Sequence, residues 1–203
     1  IYFVTGASGF IGKRFVRKLL ERADARVFVL LRDASEEKVA ALREFCDDRA
    51  KRIVAVQGDI TAEKLGVDAK DIRKLKGKVD HVVHLAAIYD LTADPTDVER
   101  ANVGGVRNAL GLARAINAGC FHHVSSIAAA GLYEGVFRED MFEEARHLEH
   151  AYFRSKHESE RLVRAEKKLA WRVYRPALVL GDSRTGEMGK IDGPYYFFQL
   201  IQK

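Results

Sequence analysis

The stretch that decides the fold is residues 5–12, Thr-Gly-Ala-Ser-Gly-Phe-Ile-Gly, which lies between an apolar run and an amphipathic segment. Glycine permits positive φ and a close approach of the backbone, and the N-terminus of a helix offers free N–H groups to an anion. The order of strand, glycines and helix predicts a pyrophosphate-binding turn at Gly6, Gly9 and Gly12, although the spacing is G-x-x-G-x-x-G instead of G-x-G-x-x-G. The alternative is a tight turn without a ligand.

Apolar strands alternate with amphipathic helices along the rest of the chain. The predicted strands are residues 1–5, 27–31, 53–56, 79–85, 120–125 and 171–174. The predicted helices are residues 10–22, 38–45, 68–75, 96–117 and 152–168, with Ser35 as the cap of the second helix. Strands that are apolar throughout are typical of a parallel sheet covered on both faces. We therefore predict an α/β protein with a doubly wound, Rossmann-type parallel sheet and helices on both faces.

The composition fits one sizeable core: 203 residues, of which 47% are hydrophobic, with no internal repeat and no linker rich in serine or glycine. No apolar run is long enough to predict a transmembrane helix, and no signal peptide is visible. Because the chain opens directly on a strand without methionine, we expect the natural protein to extend beyond it.

The net charge of +5 indicates either an ordinary basic domain or a protein with an anionic ligand. Nucleic acid is not predicted, because the cations are spread over several helices and no basic-aromatic module is present. Cys46 and Cys120 form no CxxC motif, and we expect both to be buried in a protein of a reducing, cytoplasmic compartment.

Three strand ends carry candidate cofactor contacts. After the second strand, Arg32 can pair with a 2′-phosphate, which favours NADP, whereas the alternative makes Asp33 the ligand of a ribose diol. After the third strand, Asp59 can accept a hydrogen bond from adenine and Ile60 can pack on its ring. After the fourth strand, small residues let the cofactor approach. The full predicted cofactor set from these strand ends and the glycine turn is Thr5, Gly6, Ser8, Gly9, Phe10, Ile11, Gly12, Arg32, Asp59, Ile60, Leu85, Ala86 and Ala87.

Tyr152 and Lys156 are the candidate proton-transfer pair. A spacing of four places both side chains on one face of a helix. A nearby ammonium favours the phenolate, so we expect Lys156 to lower the pKa of Tyr152 toward the working pH. Ser126, at the end of the fifth strand, is the candidate for binding a substrate carbonyl, with Ser125 as the reserve and a helix cap as the structural alternative.

The histidines do not predict a metal site. His122 and His123 are neighbours on a strand and should point to opposite faces. His147 and His150 are three residues apart, but no HExxH motif or carboxylate partner completes a set of ligands. We expect His150 to lie at the surface.

These motifs together resemble the extended branch of the short-chain dehydrogenase/reductase superfamily. The resemblance covers nearly the whole chain, and its motifs are residues 5–12, His84-Leu85-Ala86-Ala87, Asn102 with the residues around it, Val124-Ser125-Ser126, the Tyr152–Lys156 segment and Tyr174-Arg175-Pro176. More narrowly, the chain is similar to bacterial fatty acyl-CoA reductases. That narrower similarity rests on residues 122–131, 137–144 and 192–198.

The resemblance implies a function and its parts. It implies that Ser126, Tyr152 and Lys156 are catalytic. It adds four residues to the predicted contacts of NADP(H): Tyr152, Lys156, Asn102 and Pro176. The implied reaction is hydride transfer to the thioester carbonyl of a long-chain fatty acyl-CoA. Tyr152 would protonate the oxygen, and the hemithioacetal would collapse to an aldehyde and a thiol. A second reduction would give the alcohol. The alternatives are a sugar-nucleotide epimerase or dehydratase with the same machinery, and a non-catalytic NADP-binding sensor or scaffold.

The resemblance also implies an organisation. Residues 1–180 would form the NADP-binding domain with the catalytic pair, and residues 181–203 would begin a substrate-binding region that is otherwise missing. The implied partner is an acyl thioester on coenzyme A or on an acyl carrier protein. Relatives of this type include homodimers and chains with a second reductase domain. The aromatic segment 195–201 is either a core helix or a helix in peripheral contact with a membrane.

Overall fold

The computed structural model describes residues 1–89, 92–188, 195 and 201. Its centre is one sheet of six parallel strands in the order β3-β2-β1-β4-β5-β6. The strands are β1 Tyr2–Thr5, β2 Val27–Leu31, β3 Ile53–Gln57, β4 His81–His84, β5 Cys120–Val124 and β6 Ala170–Tyr174. This is the doubly wound order, and the predicted fold class is confirmed.

Helices cover the two faces of the sheet unequally. They are α1 Phe10–Leu20, α2 Glu36–Phe45, α3 Ala69–Leu75, α4 Pro95–Glu99, α5 Gly105–Ala115 and α6 Ala151–Arg164. The first two pack on one face through Val16, Leu20 and Leu42, against β1 and β2. On the opposite face, α3, α5 and α6 contribute to a larger core that contains Phe3 and Phe121. Short 3₁₀ turns at Glu63–Gly66 and Ile127–Ala130 complete the connections.

The predicted strands all form, and one helix prediction needs correction. The segment predicted as one helix over 96–117 is divided into α4 and α5 by a π-helical turn at Arg100–Gly104. Ser35 is the N-cap residue of α2 as predicted, but its hydroxyl makes no capping bond to the described residues. The Asp33 carboxylate instead accepts a hydrogen bond from the Ser35 N–H at 3.0 Å. Asp33 therefore stabilises the entry into the helix.

The carboxyl ends of all six strands meet at one edge of the sheet. The chain winds outward from β1 to β3, then returns to the other side of β1 and continues from β4 to β6. The crevice of such a fold opens where the winding changes direction, between β1 and β4. The glycine turn, Arg32, Asp59, residues 85–87 and Ser126 follow these strand ends, so the topology brings them to one edge.

Several remaining expectations concern the periphery of the sheet. Cys46 is buried as expected, whereas Cys120 is half-buried. Within the described part of the chain, no helix is both long and apolar enough to cross a membrane. The aromatic segment falls largely outside the described residues. Of its ends, Tyr195 accepts a hydrogen bond from the Gly181 N–H through its hydroxyl at 2.7 Å, and Ile201 is exposed.

Candidate active site

The glycine turn brings the backbone of β1 against the segment that follows β4. Gly6 has a φ of +72°, and a Cβ there would lie 2.7 Å from the Ala86 nitrogen. A Cβ on Gly12 would lie 1.9 Å from the Gly6 carbonyl oxygen. Both positions therefore require glycine for this geometry. The first turn of α1 has no acidic residue and no side-chain cap, so its N–H groups are available to an anion.

A cleft of about 1300 Å³ opens from this turn along the edge of the sheet. The predicted cofactor residues that line it are Gly6, Ser8, Gly9, Arg32, Asp59, Ile60, Leu85, Ala86 and Ala87. Thr5 lies behind the cleft, fully buried, where its hydroxyl meets His84 Nδ1 at 2.8 Å and accepts from the Ala86 N–H at 3.3 Å. Phe10, Ile11 and Gly12 belong to α1 and are not part of the lining.

At the second strand end, Arg32 and Asp33 differ in what they are free to bind. Asp33 accepts a hydrogen bond from Lys38 Nζ at 2.7 Å, and this bond, with that of the Ser35 N–H, lowers the pKa of its carboxyl. In the described part of the structure, the exposed Arg32 guanidinium has no hydrogen bond or ion pair. Lys38 also lines the cleft, although the sequence patterns did not predict it as a site residue. A lysine at the start of a predicted helix is common on protein surfaces, so its place in the sequence did not mark it as a cleft residue.

At the third strand end, Asp59 Oδ1 accepts from both the N–H and the hydroxyl of Thr61, at 2.8 and 2.7 Å. The backbone bond from Thr61 is the largest of the effects that lower the pKa of Asp59. An ionised carboxylate accepts several hydrogen bonds, so Asp59 keeps acceptor capacity toward the cleft. Its contact with adenine stays a prediction.

Tyr152 lies near enough to Ser126, which follows β5, for the serine side chain to affect the pKa of the phenol. Tyr152 lies in the first turn of α6 and is 7% exposed. Burial raises the pKa of its phenol, and a hydrogen bond with the Ser126 side chain acts in the opposite direction. Ser126 also caps the 3₁₀ turn by accepting from the Ala128 N–H at 3.1 Å. Its hydroxyl therefore has the capping role weighed from the sequence, and its role at a substrate carbonyl stays a prediction.

Lys156 does not act on Tyr152 as expected. Its Nζ donates to the Val124 carbonyl at 3.2 Å, and burial lowers its pKa to about 8. The pKa of Tyr152 rises instead of falling, because burial outweighs the bond from Ser126 and Lys156 does not contribute to the shift. The expected depression of the tyrosine pKa is therefore wrong for this arrangement, although both side chains lie on the same face of α6.

The reserve serine has a different position from Ser126. Ser125 is 2% exposed, and its hydroxyl donates to Glu160 Oε2 at 2.9 Å. Its own N–H donates to the Tyr174 carbonyl, and the Ile127 N–H donates to the carbonyl of Pro176. Pro176 thus supports the Ser126 segment through its backbone, at the junction of β5 and β6.

Asn102 lies behind the cleft in the π-helical turn. Its Oδ1 accepts from the Ile88 N–H at 2.8 Å, and its Nδ2 donates to the Ile88 carbonyl and the Ser155 hydroxyl, each at 3.1 Å. Because the side chain is buried and its amide is committed to these bonds, it acts here as a brace between the loop after β4 and α6. π-Turns often occur at functional sites.

The brace positions Tyr89, a residue that was missed from the sequence. Tyr89 is 51% exposed, and its ring packs edge-on against Tyr152 with centroids 5.3 Å apart. It is one of the groups that raise the pKa of Tyr152. No local pattern indicates this contact, because it joins residues more than sixty positions apart.

The histidines have structural environments. His122 and His123 point to opposite faces as predicted: His122 meets Tyr174 Oη at 2.9 Å, whereas His123 stacks near His84 in the buried layer. Burial lowers the pKa of His84 to about 3 and that of His123 well below its usual range, so both are neutral near pH 7. His150 is exposed, and its Nδ1 caps α6 by accepting from the Tyr152 N–H. Among the residues described, no cluster of three potential metal ligands occurs.

The NAD-binding family model described as "Male sterility protein" matches residues 4–203. The chain belongs to this family. The match confirms the resemblance to the extended short-chain dehydrogenase/reductases. A linear gramicidin synthase from Brevibacillus parabrevis is 33% identical over 93% of this chain, which spans 4% of that protein.

Solved structures of reductase domains from peptide synthetase pathways are similar to this chain in sequence and in fold. The terminal R domain from the myxalamid PKS-NRPS biosynthetic pathway is 31% identical with a TM-score of 0.82, over 94% of this chain and 52% of that domain. A reductase (R) domain of a nonribosomal peptide synthetase from Mycobacterium tuberculosis is 27% identical with a TM-score of 0.73, over 90% and 49% of the two chains. This member of the family thus spans about half of these domains.

Proposed function

We propose that this chain is the cofactor-binding and proton-delivering part of an NADPH-dependent thioester reductase. The observation that carries the proposal is the cleft that starts at the glycine turn and is lined by Arg32, Asp59 and the residues after β4. Ser126, Tyr152 and Lys156 follow from the neighbouring strand β5 and helix α6. The similarity to reductase domains of peptide synthetases supports a thioester substrate. Residues 1–180 would hold this machinery, and residues 181–203 would begin the substrate-binding region.

The residues present fit a dinucleotide with a 2′-phosphate. The turn around Gly6 and Gly12 leaves no room for a Cβ, and the uncapped start of α1 can receive a pyrophosphate. Arg32 has no partner among the described residues and can pair with a 2′-phosphate, whereas Asp33 accepts a hydrogen bond from Lys38. This difference supports NADP over NAD, and disfavours Asp33 as a ribose ligand.

The side chains of the site supply proton transfer and carbonyl binding. When bound, the nicotinamide cofactor supplies the hydride. The Ser126 hydroxyl would donate a hydrogen bond to the substrate carbonyl oxygen, and Tyr152 would give that oxygen its proton. A phenol whose pKa is raised by burial is protonated near pH 7, which suits the role of acid. Lys156, with a pKa of about 8, would contribute a positive charge at the end of β5, where its Nζ donates to the Val124 carbonyl.

The proposal also concerns the group that carries the acyl chain, which is either coenzyme A or a carrier protein. Long-chain acyl-CoA follows from the similarity to fatty acyl-CoA reductases, while the similarity to synthetase R domains favours an acyl group on a carrier protein. Both present the same reacting thioester. Loss of the thiol from the hemithioacetal gives an aldehyde, and a second hydride and proton would give the alcohol.

The test is NADPH oxidation by the full-length parent protein with palmitoyl-CoA, a palmitoyl-loaded carrier domain, and a panel of UDP- and dTDP-sugars, followed by product analysis. We expect oxidation with an acyl thioester, and formation of free thiol with aldehyde or alcohol. The ratio of the two thioester rates identifies the carrier. Conversion of a nucleotide sugar while both thioesters are inert would replace the substrate class with that of an epimerase or dehydratase. Tight NADPH binding without any turnover would identify a sensor.

A further inference from the structure

Glu160 is a fully buried carboxylate one helical turn after Lys156. A charge in that position is costly unless it is paired and hydrogen-bonded. Glu160 accepts bonds from Ser125 Oγ at 2.9 Å, from Arg164 Nε at 2.7 Å, and from Arg175 Nε and Nη2 at 3.0 and 2.6 Å. Burial acts to raise its pKa, but these donors, Arg175 foremost, lower it below its usual value. The carboxylate is therefore ionised.

The partners of Glu160 come from every segment that carries a catalytic side chain. Ser125 immediately precedes Ser126 at the end of β5, and Glu160 itself shares α6 with the catalytic pair. Arg175 follows β6, and its remaining N–H groups donate to the carbonyls of Arg138 at 3.1 Å and Met141 at 2.8 Å. Those carbonyls belong to the loop that leads into α6. One carboxylate thus ties together a helix, two strand ends and a loop.

We propose that Glu160 is a positioning residue of the reductase, whose carboxylate fixes the end of β5 and the loop before α6 and so holds the segments that carry Ser126 and Tyr152. The assignment rests on the proposed function for its chemistry, but its contacts do not depend on the substrate. Glu160 does not reach the reacting atoms itself, because Ser125 and Arg175 occupy its oxygens. Its effect is transmitted through these two side chains.

Glu160 has an electrostatic effect on Lys156 as well. The titratable groups that interact with Lys156 are Glu160 from α6, His84 from β4 and His123 from β5. Tyr152 lies on the same face of α6. Both histidines and the tyrosine are neutral near pH 7, so Glu160 is the charged group among these neighbours. Its negative charge favours the ammonium and opposes the burial that lowers the pKa of Lys156 to about 8. Removing the charge should lower that pKa further.

The test compares Glu160→Gln with Glu158→Gln in the full-length protein. Glutamine keeps the shape of the side chain and removes the charge. Glu158 lies on the same helix, but its carboxylate pairs with Arg161 on the outer face. For Glu160→Gln we expect kcat to fall by about 10- to 100-fold, as for a small displacement of reacting groups. The KM for NADPH should change by less than about twofold. Glu158→Gln should match the unsubstituted protein.

The pH profile separates positioning from a purely structural role. In Glu160→Gln the alkaline limb of kcat/KM should move to lower pH, because Lys156 loses its proton earlier. An NMR titration of the Lys156 amine, assigned with Lys156→Met, should show the same direction without any substrate. Arg175→Lys provides a second variant should Glu160→Gln fold poorly: it keeps the positive charge but loses the forked contact, and kcat should fall with little change in the pKa of Lys156.

The outcomes distinguish this assignment from the proposed function. If no thioester is reduced by the unsubstituted protein, but the Lys156 pKa falls in Glu160→Gln, the substrate class is wrong and the link from Glu160 to Lys156 is retained. If thioesters are reduced and Glu160→Gln behaves like Glu158→Gln in rate, pH profile and NMR titration, Glu160 has no positioning role.

Discussion

The two halves of the sheet edge are built by opposite means. Around β1, the glycine turn is shaped by the absence of side chains, since a Cβ on Gly12 would lie 1.9 Å from a backbone oxygen. Around β4 to β6, the site is shaped by buried polar side chains, among them Asn102, Ser125, Lys156 and Glu160. The first half is sensitive to added volume, and the second to lost hydrogen bonds and changed charge. Substitutions in the two halves should therefore fail in different ways.

Removing one hydroxyl from the polar half should have the largest effect on turnover. Tyr152→Phe deletes the proposed acid, while the ring keeps its packing against Tyr89. We expect turnover to fall by about 10²- to 10⁴-fold, with NADPH affinity retained. Steady-state kinetics and a calorimetric titration with NADPH measure the two quantities. Tyr2→Phe, in a ring stacked on His81 away from the cleft, is the control and should leave both unchanged. Normal turnover by Tyr152→Phe would show that the acid is another group.

Adding one methyl group to the glycine half should instead weaken the binding of NADPH. Gly12→Ala forces the turn and α1 apart, and we expect NADPH affinity to fall by at least about 100-fold, with stability lower by about 1–3 kcal/mol. Gly111→Ala is the matched control: it lies in α5, and the nearest atom to its Cβ is Lys64 Cγ at 3.9 Å. That variant should bind NADPH normally and gain up to about 1 kcal/mol of stability. Equal effects at both glycines would contradict the steric account.

The preference for NADPH over NADH should depend on the charge of Arg32, which lies in the glycine half. Arg32→Ala should weaken NADPH by about 10- to 100-fold and leave NADH unchanged, because only the 2′-phosphate loses a partner. Asp33→Asn should change the NADH affinity by less than about threefold, since its carboxylate is already bonded to Lys38 and the Ser35 N–H. Fluorescence titration with both cofactors measures this. A large loss of NADH affinity in Asp33→Asn would instead identify Asp33 as the ribose ligand.

The smallest effect concerns acid stability of the polar half. Unfolded histidine binds a proton below about pH 6.5, whereas folded His84 does so only near pH 3 and folded His123 well below 6.5. The unfolded state thus binds more protons in this window, so stability is complete above it and falls as the pH decreases. The loss is at most about 1.4 kcal/mol per pH unit for each histidine.

His123→Phe should make this acid dependence shallower, because it removes one of the two groups that take up a proton on unfolding. The substitution breaks no hydrogen bond, since the ring nitrogens of His123 have no partner among the described residues. Chemical unfolding between pH 7 and 5 measures the slope. His147→Gln, at an exposed position, should leave the slope unchanged. An unaltered slope in His123→Phe would mean that His123 is not protonated on unfolding in this range.

The sequence predicted most of the fold because its evidence is local. Strand β2 and helix α1 are indicated by their own periodicity, and the glycine turn by its place between strand and helix. The π-turn at Arg100–Gly104 could not be predicted, because it follows from the contacts of Asn102 with Ile88 and Ser155. Tyr89 and Lys38 were missed for a similar reason, since their importance depends on what stands across the cleft.

By itself, the sequence determined the fold class, the position of the glycine turn and the candidate residues Ser126, Tyr152 and Lys156. These depend on spacing along the chain, which periodicity and glycine chemistry interpret directly. Only the tertiary structure decided the protonation of the site: burial raises the pKa of Tyr152 and lowers that of Lys156, and Glu160 opposes the second shift. The desolvation of a charge depends on all the atoms packed around it, and most of these come from distant parts of the chain.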